Sequence, residues 1–321
     1  MHQGATPSDF DVPDSHAVCT LHERLANPQH GRLSASETAA GSSSHETVPR
    51  LLTERLLERL DTVNLEPKFV LDLGSNSKER QRALQQRYPG ATLIGVGWSA
   101  VLLARQGMHR SSTGWLNRLA RFLPGNKATD AALLSAAPDQ LPLADASVDL
   151  VVADQLLPWC NRPSAVFAEV LRVLKPGGAF FWSSAGPDTL AEYRKQWRTI
   201  DTYAHVWGLR DMHDLGDDML RSGFSAPVID RENLTIQYAS VSDLITDLRH
   251  NSLVNIAAGR RRGLMAPDVN NRLRQAAAPD YVATFELIQG HGWKNTASAE
   301  TVPGGAAEVY VPVDSIERLA R

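Results

Sequence analysis

The stretch Lys68–Arg80, KFVLDLGSNSKER, decides the fold. Its first part, Phe69–Leu73, is short, apolar and rich in strand-forming residues, and it ends at Gly74. The polar residues that begin at Lys78, KERQRAL, suit the start of a helix. A strand, a tight turn and a helix in this order are typical of the first βα unit of a doubly wound α/β sheet.

The turn departs from the pattern of nucleotide-binding sheets. Such turns read G-x-G-x-G, because side chains there would keep a ligand away from the backbone and the helix N-terminus. Here the three positions hold Gly74, Asn76 and Lys78. The sequence therefore predicts that the turn is kept and that the glycine cradle is not.

The rest of the chain alternates strands and helices, which favours a mostly parallel sheet with βαβ connections. Five further strand segments and several amphipathic helices follow from periodicity and breaker residues. The predicted strands are 91–96, 132–135, 147–154, 179–183 and a late 285–288, with strand pieces at 227–229 and 234–238. One predicted helix starts at Glu46 and leads into the first strand, and the later helices are predicted at 164–174, 190–198, 212–222 and 241–251.

Composition limits the class of protein. The chain has 321 residues, 43% hydrophobic residues and a net charge of −3, so it can bury a sizeable core and is not a general nucleic-acid binder. Cys19 and Cys160 have no metal-ligand spacing, which favours a reducing compartment. No apolar run has the length of a membrane span, and the N-terminus is polar and acidic rather than a signal peptide. These features predict a soluble, cytoplasmic protein without a metal site.

The expected organisation is one domain with an arm and two insertions. Residues 1–45 are poor in apolar residues and are predicted to be disordered. Residues 46–321 form the domain, with insertions at about 105–127 and 240–282. The first insertion is basic, with Arg118 and Arg121 beside apolar residues. It is either a helix with a solvated basic face or a docking surface for an acidic partner or an anionic membrane.

Several motifs together resemble one family. They are LPLADASVDLVV and FAEVLRVLKPGG within 140–178, GPDTL at 186–190, DMHDLG at 211–216, GRRRGL at 259–264 and GHGW at 290–293. The chain resembles the class I S-adenosylmethionine methyltransferases that esterify malonyl-acyl-carrier protein in biotin synthesis. It also resembles their relative, a mitochondrial complex I assembly factor with hydroxylase activity. The resemblance implies a Rossmann-like fold with a seven-stranded, mostly parallel sheet and helices on both faces.

The resemblance also implies where S-adenosylmethionine would be held. The positions in this chain are Asp72, Gly74, Asn76 and Lys78 in the first strand and turn, Gly97 and Trp98 after the second strand, Ala137 after the third, and Asp154 after the fourth. The family has two further glycines in the turn, a ribose-binding acid at the position of Gly97 and an adenine-binding Asp at that of Ala137. Losing these contacts together would weaken binding by about a thousandfold. Trp98 could also fill the vacated adenosine space.

On the substrate side, Asp188 of GPDTL is either a pocket residue or a helix cap. Arg260, Arg261 and Arg262 are either a solvated charge run or donors for a carboxylate and an acidic carrier protein. Asp211, His213 and Asp214 are read as capping residues rather than as a metal or acid/base site.

We therefore expect a methyltransferase-like protein that has lost its cofactor and acts as a non-catalytic partner of an acidic carrier protein or of a related enzyme. The alternative is an active S-adenosylmethionine-dependent O-methyltransferase with an altered cofactor pocket. A hydroxylase-like activity, by analogy with the assembly factor, has only a fold-level basis.

Overall fold

A computed structural model describes residues 47–74, 77–98, 132–250, 255–264, 266–276 and 280–296. The basic segment 105–127, with Arg118 and Arg121, lies outside the described residues, as do residues 1–45 and Asn76. The helices are α1 Thr47–Leu60, α2 Lys78–Arg87, α3 Pro163–Val173, α4 Ala191–Trp197, α5 Met212–Ser222, α6 Val241–His250 and α7 Pro267–Ala276. The strands are β1 Phe69–Leu73, β2 Thr92–Gly97, β3 Ala132–Ser135, β4 Val148–Ala153, β5 Leu174–Ala185, β6 Phe224–Tyr238 and β7 Tyr281–Lys294.

The strands form one seven-stranded sheet in the order β3-β2-β1-β4-β5-β7-β6. The first five strands are parallel, and β7 runs antiparallel to both β5 and β6. The predicted fold class is confirmed. From β1 the chain continues to β2 and β3 on one side of the sheet, and it then returns to place β4 and β5 on the other side of β1. The direction in which strands are added therefore reverses between β1 and β4. Ligands of open α/β sheets bind at such a switch point, beyond the carboxyl ends of the strands.

Alternating residues along the central strands bury opposite faces of the sheet. Leu71, Phe180 and Trp182 pack on one face against α3 and α5. Val70 and Phe181 pack on the other face against α1 and α2. Both faces of the sheet are therefore covered by helices, and the side chains at its carboxyl edge are held by a rigid three-layer core.

The later part of the chain differs from the prediction in three places. The strand pieces at 227–229 and 234–238 are one continuous strand, β6, because it pairs with β7 along nearly its whole length. The late strand is also longer than 285–288, since Gly290 and Gly292 continue the ladder rather than end it. Helix α7 was not predicted, because its buried stripe consists of only Val269 and Leu273 among polar residues.

Candidate functional site

The candidate site lies at the carboxyl ends of β1 and β4, which are hydrogen-bonded neighbours. Asp72 is the fourth residue of β1, and Asp154 directly follows β4. Both residues are buried, with Asp72 fully inaccessible. Two carboxylates thus approach each other at the switch point of the sheet, where isolated negative charges would be strongly disfavoured.

The side chain of Arg80 forms ion pairs with both carboxylates. Its Nε donates to Asp72 Oδ1 at 2.8 Å, and its Nη1 donates to Asp154 Oδ2 at 3.2 Å. Its Nη2 donates to the carbonyl of Gly74 at 3.2 Å. Burial lowers the pKa of the guanidinium, but attraction to Asp72 and Asp154 outweighs it, so the pKa lies above its ordinary value. Arg80 is therefore a buried cation, 2% exposed, that spans the two strands.

Asp154 is saturated by two further hydroxyl donors. Ser183 of β5 donates to Oδ1 at 2.6 Å, and Thr53 of α1 donates to Oδ2 at 2.5 Å. Asp72 is not saturated: its Oδ2 is buried and has no hydrogen-bond donor among the described residues. One carboxylate oxygen at the switch point is thus left without a partner in the part of the chain that the structure describes.

The first turn has the geometry predicted for Gly74. This residue has a φ of +76°, which residues with a side chain rarely adopt. Its N–H donates to the carbonyl of Val96 in the neighbouring strand at 2.8 Å. Helix α2 then begins at Lys78 with Ser77 as its N-cap, whose hydroxyl accepts from the N–H of Arg80. The helix N-terminus therefore satisfies one of its own donors internally.

At the ends of the second and third strands, the positions where an acidic residue is expected hold no acid. Gly97 is buried at the end of β2, and the half-buried Trp98 follows it. Ala137 lies exposed beyond β3. The nearby Asp139 is paired with Arg162 at 3.3 Å. Neither Gly97 nor Ala137 can accept a hydrogen bond through its side chain, so neither can replace the acid expected there.

An aromatic cluster covers this edge of the sheet. Trp207, from the loop between α4 and α5, lies against Trp159 with ring centroids 5.2 Å apart and donates its indole N–H to the carbonyl of Pro158 at 3.0 Å. Trp98 packs against the same cluster. The space beyond β2 and β4 is thus lined by three indoles.

Two loops form a cap over these indoles, which we define as residues 199–208 and 255–264. The amide of Asn255 donates to the carbonyl of Ala204 at 2.6 Å, and the N–H of Ala204 donates to the carbonyl of Gly259 at 3.3 Å. Ile256 and Ala257 are buried against Trp207. The cap is therefore one hydrogen-bonded unit attached to the candidate site through its indole layer.

The GPDTL loop is fixed to β7. Glu286, whose side chain is inaccessible, accepts from the N–H of Asp188 at 2.7 Å and from Arg231 at 3.2 Å. The Asp188 carboxylate points outward and is 58% exposed. Helix α4 starts after Leu190, so the idea that the Asp188 side chain caps this helix is wrong. Asp188 remains a candidate contact residue beyond the end of β5.

The three consecutive arginines, 260–262, lie in two different environments. Arg260 turns back and donates to the carbonyl of Ala257 at 2.9 Å, so it helps to close its own loop. Arg261 and Arg262 are exposed, and the guanidinium of Arg261 lies 5.7 Å from the ring centre of Tyr203 on the other cap loop. The exposed charge is therefore carried by Arg261 and Arg262.

The remaining candidates have structural roles. Asp211 caps α5 by accepting from the N–H of His213 at 2.8 Å, as predicted. His291, the histidine of the GHGW motif, also has a structural role, since it stacks on Phe181 with ring centroids 5.0 Å apart. Within the described residues no group of three or more His, Cys, Asp or Glu side chains could hold a metal ion. In the same part of the chain, no helix is long and apolar enough to cross a bilayer.

Arg80 is the residue that sequence reasoning missed. The sequence pattern indicates only that Arg80 is one of several polar residues at a helix start. A signal was present, because Arg80 and the buried Leu84 are four residues apart and so share one helix face. An arginine on the buried face of the first helix has to find a carboxylate, and Asp72 is the nearest one in sequence.

Comparisons with known proteins agree with this architecture. The family model described as "Methyltransferase domain" matches residues 71–182. The YcgJ protein from Bacillus subtilis, a solved structure, has a TM-score of 0.51 at 14% identity, covering 77% of this chain and 100% of that one. A putative methyltransferase from Bacillus halodurans has a TM-score of 0.50 at 15% identity, covering 76% and 99%. The sheet order and the first βα unit thus define a protein of the class I methyltransferase fold.

Relatives identify the family within that class. A malonyl-[acyl-carrier protein] O-methyltransferase of Gallionella capsiferriformans is 33% identical over 285 residues, which is 85% of this chain and 93% of the relative. The protein of the same name from Methylovorus sp. is 35% identical over 298 residues, which is 90% and 96%. The chain belongs to the malonyl-[acyl-carrier protein] O-methyltransferase family.

Proposed function

We propose that this chain is a non-catalytic member of its family, which does not bind S-adenosylmethionine and instead binds the acyl carrier protein on which its relatives act. The observation that carries the proposal is the position of Arg80. At the switch point of the sheet, its guanidinium donates hydrogen bonds to the carboxylates of Asp72 and Asp154 and to the carbonyl of Gly74.

The residues present do not fit the cofactor. A ligand with a positively charged amino group would compete with a buried guanidinium that already has three hydrogen bonds there, two of them charge-assisted. Displacing Arg80 would leave it without carboxylate partners in a site that excludes water, which costs about 3–5 kcal/mol for a buried pair. The relatives' ribose and adenine acids are replaced by Gly97 and Ala137, so no compensating contact is gained.

Trp98 and the indole layer support the same conclusion. The end of β2 is filled by a bulky half-buried side chain that packs against Trp159 and Trp207. The volume beside β2 is thus used by the protein's own core. This packing stabilises the cap in the absence of a ligand.

One observation favours the second candidate, an active O-methyltransferase. Asp72 Oδ2 is a buried acceptor without a donor among the described residues, and a ligand amine could supply one. A rotation of Arg80 toward bidentate pairing would supply one equally well. The two candidates therefore differ in one measurable quantity, the affinity for the cofactor.

Calorimetric titration of the full chain with S-adenosylmethionine and with S-adenosylhomocysteine tests the proposal. The Gallionella capsiferriformans relative, treated in the same way, is the matched control. We expect no binding to this chain up to millimolar ligand. Micromolar binding would refute the proposed loss of the cofactor, and the formation of a methyl ester on malonyl-carrier protein would establish the active alternative.

A further inference from the structure

Gln155 has a strained backbone at the carboxyl edge of the sheet. It directly follows Asp154 and has a φ of +50°, which residues with a side chain rarely adopt. Such a conformation persists only where the surrounding structure holds it in place, and it is found most often at ligand sites and at switch elements. The contacts around Gln155 therefore determine which of two backbone arrangements this turn adopts.

Ser183 of β5 holds Gln155 directly. Its hydroxyl oxygen accepts from the backbone N–H of Gln155 at 3.0 Å and from the side-chain amide at 3.1 Å. The same hydroxyl donates its single proton to Asp154 Oδ1 at 2.6 Å. The lone pairs of Ser183 can face Gln155 while the proton is directed at Asp154, so the carboxylate of Asp154 orients the group that holds the turn.

Arg80 fixes the turn on both sides of Gln155. Its Nη1 donates to Asp154 Oδ2 at 3.2 Å, and its Nη2 donates to the carbonyl of Gly74 at 3.2 Å. Gly74 is covered by the buried side chain of Leu156, since a Cβ atom added to Gly74 would lie 3.0 Å from Leu156 Cδ1. The residues before and after Gln155 are therefore both held by groups that Arg80 binds.

A short 3-10 helix, Leu157–Trp159, joins this turn to the cap. The carbonyl of Pro158 accepts from the indole N–H of Trp207 at 3.0 Å, and the ring of Trp159 packs on that of Trp207. Both contacts lie within four residues of Gln155 along the chain. A change of backbone direction at Gln155 would move Pro158 and Trp159 together, so it would withdraw both contacts from the cap.

We propose that Arg80 acts as an internal effector that keeps the cap closed. Its ion pair with Asp154 maintains the left-handed conformation of Gln155, and residues 154–159 transmit this arrangement to the cap. In many enzymes a lid closes when a bound ligand supplies the contacts that favour the closed state. Here a side chain of the chain itself supplies them. The position of the cap is a separate property from cofactor affinity, so this proposal does not depend on the proposed function.

Without the Arg80 contact the turn has a second arrangement. The Asp154 carboxylate would turn toward water, the Ser183 hydroxyl would lose its acceptor, and Gln155 would relax to a negative φ. The cap would then open as one unit, because its two loops are hydrogen-bonded to each other. Arg80 and Trp207 should therefore affect the cap in a coupled, non-additive way.

Amide hydrogen exchange of the full chain, without any ligand, measures the opening of the cap. In Arg80→Met we expect exchange in residues 199–208 and 255–264 to become at least about tenfold faster relative to exchange in α3. Helix α3 packs in the main core and reports global unfolding. Arg82→Met, on the exposed face of the same helix as Arg80, is the control and should leave exchange in the cap unchanged.

A double-mutant cycle tests whether the turn carries the coupling. Trp207→Phe removes the N–H donated to Pro158 and should also accelerate exchange in the cap. Adding Arg80→Met to Trp207→Phe should then increase cap exchange by less than about a further twofold. Increases that multiply would overturn the proposal. An equal acceleration in the cap and in α3 on Arg80→Met alone would also overturn it, because Arg80 would then support only global stability.

The pair Gln155→Gly and Gln155→Ala tests the turn without removing Arg80, and so decides the matter if Arg80→Met does not fold. Both variants lose the amide that donates to Ser183, and they differ in whether a φ of +50° is strained. We expect cap exchange to be about fivefold or more slower in Gln155→Gly than in Gln155→Ala, because glycine adopts this φ readily. Cap exchange that is as fast in Gln155→Gly as in Gln155→Ala, or faster, would show that the left-handed turn does not hold the cap.

Discussion

Arg59 of α1 donates a hydrogen bond from its Nε to Nδ1 of His291 in β7, 3.1 Å away. The acceptor nitrogen must be unprotonated, so the imidazole is neutral in the folded protein. Burial lowers the pKa of His291, and the charge of Arg59 lowers it further, while Asp230 acts in the opposite direction. Arg59 also forms an ion pair with Asp230 of β6, so the side chain of Arg59 connects α1 to both β6 and β7.

The lowered pKa predicts that stability falls as the pH drops below about 6.5, the ordinary pKa of histidine. In this range the unfolded chain takes up a proton at His291 before the folded chain does, so the free energy of unfolding decreases until the pH reaches the folded pKa. His205, buried against Trp197, has a pKa lowered by burial and acts in the same direction.

Urea unfolding at pH 7.5 and pH 5.5 checks this, and His291→Gln is the informative variant because its amide oxygen can still accept from Arg59. We expect a smaller loss of stability between the two pH values in His291→Gln than in wild type. An unchanged difference would show that His291 does not contribute to the pH dependence.

Replacing Gly290 is expected to destabilise the sheet. Gly290 lies opposite Trp182 in the β5–β7 ladder, and a Cβ atom there would overlap the indole ring. The indole is fully buried, so it cannot move away without disturbing its neighbours. Gly290→Ala should cost about 1–3 kcal/mol or more, as for other overpacked cores. Chemical unfolding measures this, and Gly90→Ala, whose new atom meets nothing within 4 Å, should stay near wild type.

Removing the buried cation should be costly. Arg80→Met leaves Asp72 and Asp154 unpaired and is expected to lower the free energy of unfolding by about 3–5 kcal/mol. Adding Asp72→Asn and Asp154→Asn should restore part of the loss, because the uncompensated charges are then gone. Arg82→Met on the exposed face of the same helix is the control and should change stability by less than about 0.5 kcal/mol. Equal effects at Arg80 and Arg82 would contradict the buried ion pairs of Arg80 with Asp72 and Asp154.

Glu286 should control the order of the GPDTL loop. Glu286→Ala removes the acceptor for the N–H of Asp188 and the partner of Arg231, so we expect faster amide exchange at 186–190 and a loss of about 1.5–3 kcal/mol. The control is Asp188→Asn, since that carboxylate is mostly exposed and should contribute little. Unchanged exchange in Glu286→Ala would mean that the loop is held by its other backbone bonds.

Local pattern was sufficient for the central sheet and insufficient for its edge. The strands β1, β2 and β4 are five or six residues long and mostly buried, so the sequence reveals them through apolar runs and flanking breaker residues. β6 alternates exposed and half-buried residues, and its pairing with β7 rather than its own residues determines its length. Gly290 and Gly292 look like breakers in the sequence, yet Gly290 is required because Trp182 fills the space of its side chain.

The candidate site shows the same limit at the level of single residues. The missing glycines, the missing acids and the capping role of Asp211 could be read from position alone. The role of Arg80 depends on Asp154, 74 residues away, and on the burial of both groups, which spacing does not reveal. Likewise, GRRRGL reads as three equivalent charges, whereas the fold turns Arg260 inward and brings Tyr203 beside Arg261.

The bridge from Arg80 to Asp72 and Asp154 also bears on how such a chain can change over generations. A single substitution of Arg80 would strand two buried charges, and single substitutions of either aspartate would strand part of a buried cation. Removing this bridge by single steps must therefore pass through a destabilised intermediate. Selection for folding alone would keep the bridge in place, whatever the chain is used for.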